Sequence, residues 1–549
     1  MNPSFAAEVE RWIARDPDEG DRATLRQLLD DDDETELHRR FDHPLTFGTA
    51  GLRGPEMAGP AGMNRATVRR ATQGVLAWMY EKGADYSRGV VVGRDARLGS
   101  ERFNDEVVSV LLGGGAVVYE MPHPLPTPFV PYCVKALGAA AGIMITASHN
   151  PPEDNGYKLY SSDGAQIIPP DDEIVERHAN EGREPTLGAR SSPDHSYIAE
   201  SIFDEYRHHF VRRFGVGHSD LRITYTPLHG VGGEVMTRLF VEAGFTSVSQ
   251  VAEQFAPDGT FPTLPFPNPE EPGALDLAIE TAALNDSILI IANDPDADRL
   301  GAAVRTPTGW HVLRGDEIGW LLASSLLDEI KEGNETVATT IVSSTLLEVM
   351  AKDAGVRCVT TLTGFKWISR AAGDDVLGFG YEEALGFAVD PCVADKDGLS
   401  AGLALSSLAH SLSQEGATLM DRLDELEGRF GVHATAQLSI RTSGPDALTL
   451  IRSAVGGLVR QPPSRLGDLD VSEVIDLNQG WHGLSPTEGV VLKLGEKGRV
   501  IVRPSGTEAK LKAYLEMTPP QEGSLAQQRE RAQGWLDAVK ENLASLLAL

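Results

Sequence analysis

The chain is short of cysteine, of long apolar runs and of basic residues to balance its acids, and each shortage removes a class of function. Its 549 residues hold three cysteines, Cys133, Cys358 and Cys392, far apart and with no C-x-x-C pair. That excludes a disulfide framework or a zinc knuckle and predicts a reducing, cytosolic (cytoplasmic) location. No stretch approaches the ~18 apolar residues that span a bilayer. The start, Met1-Asn2-Pro3-Ser4-Phe5-Ala6, lacks the basic opening and apolar core of a signal peptide. Lysine and arginine number 49 against 80 aspartates and glutamates, a formal charge of -31. Such a chain is a poor partner for nucleic acid or an anionic membrane. An anionic substrate would need positive charge gathered locally. The acidic run Asp30-Asp31-Asp32-Asp33-Glu34 reads as solvated linker or helix surface.

What is present describes a globular protein long enough for about three to five domains. The first segment reads as helical to about residue 40, with Glu8, Trp12, Leu25, Leu28 and Leu29 giving an intermittent apolar face. A glycine-rich loop follows, Phe47-Gly48-Thr49-Ala50-Gly51-Leu52-Arg53-Gly54. Strand-like runs at 89–93, 116–119 and 141–145 enclose helix-like stretches such as Glu101 to Leu112, which predicts a mostly parallel α/β sheet. The alternation restarts at 221–225, 287–291 and 336–342, suggesting serial α/β units without a visible sequence repeat. From about residue 432 the pattern changes. Alternation over His433 to Ile440, a strand candidate at 498–503 and a closing helix over Ala526 to Leu547 read as a smaller α+β domain.

Four loops carry chemistry. Thr146-Ala147-Ser148-His149-Asn150-Pro151 follows the apolar run Gly142 to Ile145 and leads to Asn155-Gly156-Tyr157-Lys158. A serine at a strand exit is presented to a cleft, although Ser148 or Asn150 could equally cap a turn. The pattern is not the G-x-S-x-G of hydrolases, so a nucleophilic Ser148 needs another means of activation. Asn293-Asp294-Pro295-Asp296-Ala297-Asp298-Arg299 follows Ile288 to Ile291. Three carboxylates at a spacing of two repel unless a cation sits among them, and the loop lacks the glycine and distal glutamate of a calcium EF-hand, which leaves Mg²⁺. A capped acidic turn is the plainer reading. Gly380-Tyr381-Glu382-Glu383-Ala384-Leu385-Gly386 offers adjacent glutamates that could bond vicinal sugar hydroxyls or merely be solvated. Arg503-Pro504-Ser505-Gly506-Thr507-Glu508 combines an arginine, two hydroxyls and a glycine, a phosphate cradle compatible with a helix cap.

In this order, spanning residues 47 to 508, the four loops resemble those of the α-D-phosphohexomutases, the family of phosphoglucomutases and phosphomannomutases. The long N-terminal segment, F-G-T-A-G-L-R-G and Thr363-Gly364-Phe365-Lys366 look most like the subgroup containing phosphoglucomutase-2 and phosphopentomutase. The resemblance implies an α/β protein with four domains around a deep cleft, three related mixed α/β domains and a smaller C-terminal α+β domain. On this chain that gives a helical extension over 1–45 and α/β domains over 46–212, 213–314 and 315–431, with a phosphate-binding domain over 432–549. Ser148 would be the phosphoserine, completing a Mg²⁺ shell of Asp294, Asp296 and Asp298. Lys158 would be the general acid/base, which requires a pKa below that of a free lysine. Arg53, His149 and Arg299 would line that centre. Thr363, Gly364, Glu382 and Glu383 would bind the sugar, and Arg503, Ser505, Gly506 and Thr507, helped by Lys366, the second phosphate. A sugar bisphosphate, such as glucose 1,6-bisphosphate, would be intermediate and activator.

The resemblance therefore implies a mutase moving a phosphoryl group between O1 and O6 of a hexose phosphate. Phe365-Lys366 follows the aromatic-lysine pattern of phosphoglucomutases rather than the histidine of bacterial phosphomannomutases, which favours glucose over mannose. Many relatives carry a serine where Ala384 stands, and its loss keeps pentose phosphates open. A metal-dependent sugar phosphatase and a non-catalytic sugar-phosphate sensor are the alternatives from other classes.

Overall fold

Helices begin where the N-terminal sequence supplies caps. The computed structural model describes residues 2–47, 51–181, 184–442, 447–505 and 510–547. Asn2, Asp18 and Asp33 accept backbone N–H groups at the starts of the helices Pro3–Ile13, Glu19–Asp30 and Glu34–Phe41. Such caps are typically worth ~1 kcal/mol each. Val9, Ile13, Leu25, Leu37 and Phe41 bury against Ala58, with Trp12, Leu28 and Leu29 at the edge of the cluster. Glu8 departs from the expected apolar face: it is exposed, and Val9 takes the inward place, one turn before Ile13. The acidic run is the corner between the second and third helices, with Asp33 as cap.

The chain divides into two compact units, Met1–Leu313 with Gly386–Ser407, and Arg314–Leu385 with Leu408–Leu549. In unit 1, the strands Ala141–Ile145, Val90–Arg94, Val118–Glu120 and His195–Tyr197 run parallel. Asp154–Ser161 turns back antiparallel to Ala141–Ile145, and Leu52–Pro55 pairs antiparallel to it in turn. This register sets Met144 beside Lys158 and Arg53 beside Gly156. The sheet is thus mixed rather than mostly parallel at that edge, and the reversal is what brings the serine loop and Lys158 together. All five residues of Ala141–Ile145 are buried, as expected of a strand covered on both faces.

A second sheet of unit 1 sets Ile223–Thr226 between Val248–Gln250 and Leu289–Ala292, all parallel, and closes with the hairpin Gly301–Thr306 and Gly309–Val312. In unit 2, Thr336–Thr340 lies between Arg357–Thr361 and Leu377–Glu382, again parallel. The strand expected through Val342 ends at Thr340, where Ser343 N–H donates to the Thr340 carbonyl and side chain and turns the chain. The C-terminal sheet of Ala434–Arg441, Lys510–Met517, Gly498–Pro504, Val490–Lys493 and Glu473–Asp476 is antiparallel throughout. The helix Leu525–Leu546 contributes Ala532, Leu536, Val539 and Leu543 to its core. This is the α/β architecture with a closing α+β domain that the sequence pattern predicts. No helix among the described residues is long and apolar enough to cross a membrane.

Candidate functional site

Ser148 sits three residues beyond the buried strand Ala141–Ile145, with φ at 53°, a left-handed conformation uncommon for a residue with a β-carbon. Arg97 holds the loop in that shape. Its Nη1 donates to the carbonyls of Pro151 at 2.7 Å and Asp154 at 3.0 Å, and its Nη2 to those of Ser148 at 2.7 Å and Asn150 at 2.6 Å. Its face lies over the Phe261 ring, 5.0 Å from the centroid, and Asp95 pairs with it at 3.4 Å. One guanidinium thus satisfies four carbonyls of an irregular, partly buried loop, groups that would be costly to leave unpaired. Arg53 adds a further tie, donating to Asn150 Oδ1 at 3.0 Å.

The serine hydroxyl donates to Asp294 Oδ2 at 2.7 Å. Asp294, Asp296 and Asp298 follow the buried strand Leu289–Ala292 and are fully buried. Ala297, at φ 57°, bends the loop so that one oxygen from each lies within 4.8 Å of the others. Lys158 Nζ donates to Asp296 Oδ2 and Asp298 Oδ2, both at 2.7 Å. Lys396 reaches Asp298 at 3.2 Å, and Thr127 Oγ1 donates to Asp296 at 2.6 Å. His149 Nδ1 stands 3.9 Å from Asp294, and Arg299 Nε 3.9 Å from Asp294 and 3.8 Å from Asp298. Arg299 is seated by its own backbone: its N–H donates to Asp294 Oδ1 and its carbonyl accepts from Asn293. Gly398 packs against that carbonyl, and a β-carbon there would run into it.

The charges do not balance evenly. Burial, then Asp296 and Asp298, drive the Asp294 pKa well above the usual carboxylate value. Burial also pushes Asp298 up, but Lys158 and Lys396 reverse this and leave it below its ordinary value. Burial pulls Lys158 down, and Asp296 and Asp298 more than offset it, so the ammonium ends above the ordinary lysine value. That corrects the expectation of a lowered pKa: two carboxylates in contact outweigh desolvation. A divalent cation sharing those carboxylates would weaken that hold. The donor set fits such a cation, since Asp296 Oδ1 and Asp298 Oδ1 are buried and accept no hydrogen bond. Hard carboxylate oxygens beside a serine hydroxyl suit Mg²⁺.

The remaining candidates belong to unit 2. Glu382 ends the strand Leu377–Glu382 and is half-buried. Glu383 N–H donates to Ser343 Oγ at 3.2 Å, and its carboxylate accepts from that hydroxyl at 3.3 Å. Gly315 packs against the Glu383 carbonyl so closely that a β-carbon would collide with it. Thr363 and Gly364 follow the strand Arg357–Thr361, Gly364 with φ at 109°, and Lys366 is buried on the one-turn helix Phe365–Ile368. Arg503, half-buried, lies near the end of the strand Gly498–Pro504, and Ser505 N–H donates to the Lys510 carbonyl at 2.7 Å. Gly506 and Thr507 lie outside the described residues, as do Gly48, Thr49 and Ala50 of the glycine-rich loop.

The structure therefore brings Ser148, His149, Arg53, Lys158, Arg299 and the three aspartates into one cluster of unit 1. Sequence reading missed Arg97, Thr127 and Lys396. Signals existed for two of them: Arg94-Asp95-Ala96-Arg97 and Asp395-Lys396-Asp397 are charged groups placed directly after apolar runs.

Comparisons with known proteins agree along the chain. Models described as phosphoglucomutase/phosphomannomutase alpha/beta/alpha domains I, II and III match residues 44–186, 204–309 and 314–430, and the C-terminal domain model matches 450–533. A probable phosphomannomutase of Haemophilus influenzae is 38% identical over 463 residues, covering 83% of this chain and 93% of that protein. A probable phosphoribomutase of Schizosaccharomyces pombe is 34% identical over 554 residues, covering 94% of each. A crystal structure of a phosphomannomutase assigned in Thermus thermophilus shares the fold, with a TM-score of 0.70, 23% identity and coverage of 92% of this chain and 100% of that one.

Proposed function

Because the chain belongs to the phosphoglucomutase/phosphomannomutase family and is an enzyme of the mutase class, we propose that it moves a phosphoryl group between O1 and O6 of a hexose phosphate, glucose before mannose, through phosphorylated Ser148 and a sugar bisphosphate. The observation that carries this reading is Ser148 Oγ at 2.7 Å from Asp294, in a loop locked by Arg97 beside three buried carboxylates.

In this reading the bond between phosphorus and Ser148 breaks as one to a sugar hydroxyl forms, and Lys158 gives a proton to the Ser148 oxygen left behind while taking the one that the sugar hydroxyl loses. The return transfer runs from the other end of the bisphosphate to the Ser148 hydroxyl, whose proton Lys158 takes as it gives one to the sugar oxygen left behind. An unphosphorylated Ser148 beside a Lys158 held as ammonium is the arrangement midway through that cycle. Arg53, His149 and Arg299 orient the phosphoryl group and offset its charge. Asp294, Asp296, Asp298 and Ser148 would hold Mg²⁺, which supplies charge neutralisation of the transferring group when bound. In unit 2 we assign Glu382, Glu383, Thr363 and Gly364 to sugar hydroxyls, and Lys366, Arg503, Ser505, Gly506 and Thr507 to the second phosphate. The shortage of cysteine fits work in the cytosol.

A second reading, ribose 1-phosphate to ribose 5-phosphate, is favoured by Ala384 and by the full-length likeness to a protein named a phosphoribomutase. The test is ³¹P NMR of glucose, mannose and ribose 1-phosphates in turn with enzyme, Mg²⁺ and glucose 1,6-bisphosphate. Isomerised sugar phosphate is expected, fastest from glucose. Fastest turnover of ribose 1-phosphate selects the second reading, and free phosphate without isomerisation sinks both.

A further inference from the structure

The turn of residues 258–261 supports the arginine that shapes the serine loop. Phe261 is buried, and its ring is the face over which Arg97 lies. Gly259 meets the backbone of Ala96 and Arg97 so closely that a β-carbon there would collide with it. The Phe261 N–H closes the turn on the Asp258 carbonyl at 3.1 Å, and the Asp258 N–H donates to the His229 carbonyl at 2.9 Å. The buried His229 ring reaches the same segment, with Nε2 2.8 Å from Thr263 Oγ1. The two residues after His229 meet the aspartate loop. Val231 N–H donates to the Pro295 carbonyl at 2.8 Å, and a β-carbon at Gly230 would overlap Pro295. His229 thus joins the supports of the serine loop and of the aspartate loop.

Among the described residues ten non-glycine positions have left-handed φ. Half of them, Ser148, Leu228, His229, Phe261 and Ala297, fall in the serine loop, the aspartate loop and the two turns that support them. Phe261 at 47° and His229 at 62° hold bulky side chains where glycine would fit at no steric cost. Strain of this kind persists where the surroundings over-determine it, so the ring and the imidazole are what these turns are built to present. We propose, resting on the reading of Ser148 as phosphate carrier, that Phe261 and His229 are positioning residues for phosphoryl transfer. Phe261 seats Arg97 against the Ser148 loop, and His229 ties that support to the aspartate loop. A guanidinium stacked on a ring is fixed in plane, and the plane decides whether its two Nη atoms reach four carbonyls at once. Without the ring, Arg97 keeps its charge but is free to tilt, and Ser148 shifts with it.

The test uses the full-length enzyme, read by steady-state kinetics with Mg²⁺ and by amide hydrogen exchange of residues 147–154. Phe261→Leu keeps an apolar side chain but loses the ring face. It should lower kcat about tenfold with KM within about twofold, the rate equivalent of a desolvated cation–π contact. Phe261→Tyr keeps the face and should hold kcat within about twofold of wild type. In an Arg97→Lys background, Phe261→Leu should cost less than about twofold, because its partner is already gone. Asparagine tolerates left-handed φ but is too short to reach Thr263. His229→Asn should therefore lower kcat on the order of tenfold and also weaken Mg²⁺ binding in calorimetry, which Phe261→Leu leaves unchanged. Exchange at 147–154 should quicken in both variants. An undiminished kcat, equal losses in Phe261→Leu and Phe261→Tyr, a loss confined to KM, additive losses with Arg97→Lys, or unchanged exchange would each overturn the proposal. Wild-type turnover with no phosphoryl group on Ser148 sinks the carrier reading instead, and quickened exchange then still reports the support of the loop. Should Phe261→Leu fail to fold, His229→Asn carries the same kcat and exchange tests.

Discussion

Glu516 in unit 2 and Asp294 in unit 1 are both buried carboxylates, but their surroundings differ. Around Glu516 stand Arg499 Nε at 2.9 Å, His433 Nδ1 at 3.0 Å, Ser344 Oγ at 2.8 Å and the Thr345 N–H at 2.7 Å. Burial pushes the Glu516 pKa up, and Arg499 with His433 reverses that until it lies well below the usual value. Around Asp294 stand two further carboxylates, while the lysines reach only Asp296 and Asp298. The first arrangement is a satisfied network that ties the C-terminal sheet to the turn after Thr336–Thr340. The second sets Asp294 against two further carboxylates and leaves Asp296 Oδ1 and Asp298 Oδ1 buried without a hydrogen bond. Buried carboxylate oxygens left without a hydrogen bond in a rigid setting mark a place built for something else to bind.

The comparison breaks most readily at Glu516. Glu516→Gln leaves a half-buried Arg499 without the counter-charge of a buried carboxylate and should cost about 3 kcal/mol of stability in denaturant unfolding. Its folded pKa is depressed below 4.5, so the stability it contributes is present above that pH and is lost as pH falls below it. The variant should lack that part of the acid limb. Catalytic loss at unchanged melting temperature would contradict a structural role.

Next in size is Arg97→Lys, which keeps a charge but cannot reach four carbonyls. A nucleophile misplaced by about 1 Å costs on the order of 100-fold in rate. The loss should fall on kcat with KM nearly unchanged, and a loss confined to KM would show that Arg97 does not position Ser148. Smaller again is the response to Mg²⁺, which should stabilise unit 1 by about 2–3 kcal/mol at a hundredfold excess over its Kd. Calorimetry should show no such gain for Asp296→Asn, whereas Glu516→Gln should keep it. The smallest effect belongs to Ala384→Ser. One added hydrogen bond to a sugar hydroxyl, ~0.5–1.5 kcal/mol, should change the hexose-to-pentose preference by about three- to tenfold. Phosphorylation of Ser148 should be untouched.

Unit 1 was the more legible in sequence, and the reason is physical. Asp294, Asp296 and Asp298 lie within five residues of one another, and Ser148 directly follows an apolar run, so local spacing alone exposes both. The strands were likewise legible as apolar runs, Ile143 to Ile145 and Leu289 to Ile291. The edge reversal that carries Lys158 was not, because an antiparallel return and a parallel crossover begin with the same residues. Arg97 and Lys396 escaped because their roles depend on partners 51 residues away at Ser148 and, for Lys396, at distant Asp298. The raised pKa of Lys158 was hidden for the same reason: a lone lysine in a strand reads as a base, and only the fold sets two carboxylates against it. Glu516 gave no signal at all, since its partners come from three separate segments.

The most direct test of the account is the phosphorylation state of Ser148 during turnover. Wild-type enzyme incubated with glucose 1,6-bisphosphate and Mg²⁺, quenched and digested with trypsin, should yield the peptide of residues 136–158 carrying one phosphoryl group on Ser148. That group should discharge to added glucose 1-phosphate at the rate of catalysis, and Ser148→Ala should neither carry it nor turn over. Isomerisation that proceeds with Ser148 unmodified, or with the phosphoryl group on another residue, would contradict the assignment of Ser148 as the phosphate carrier.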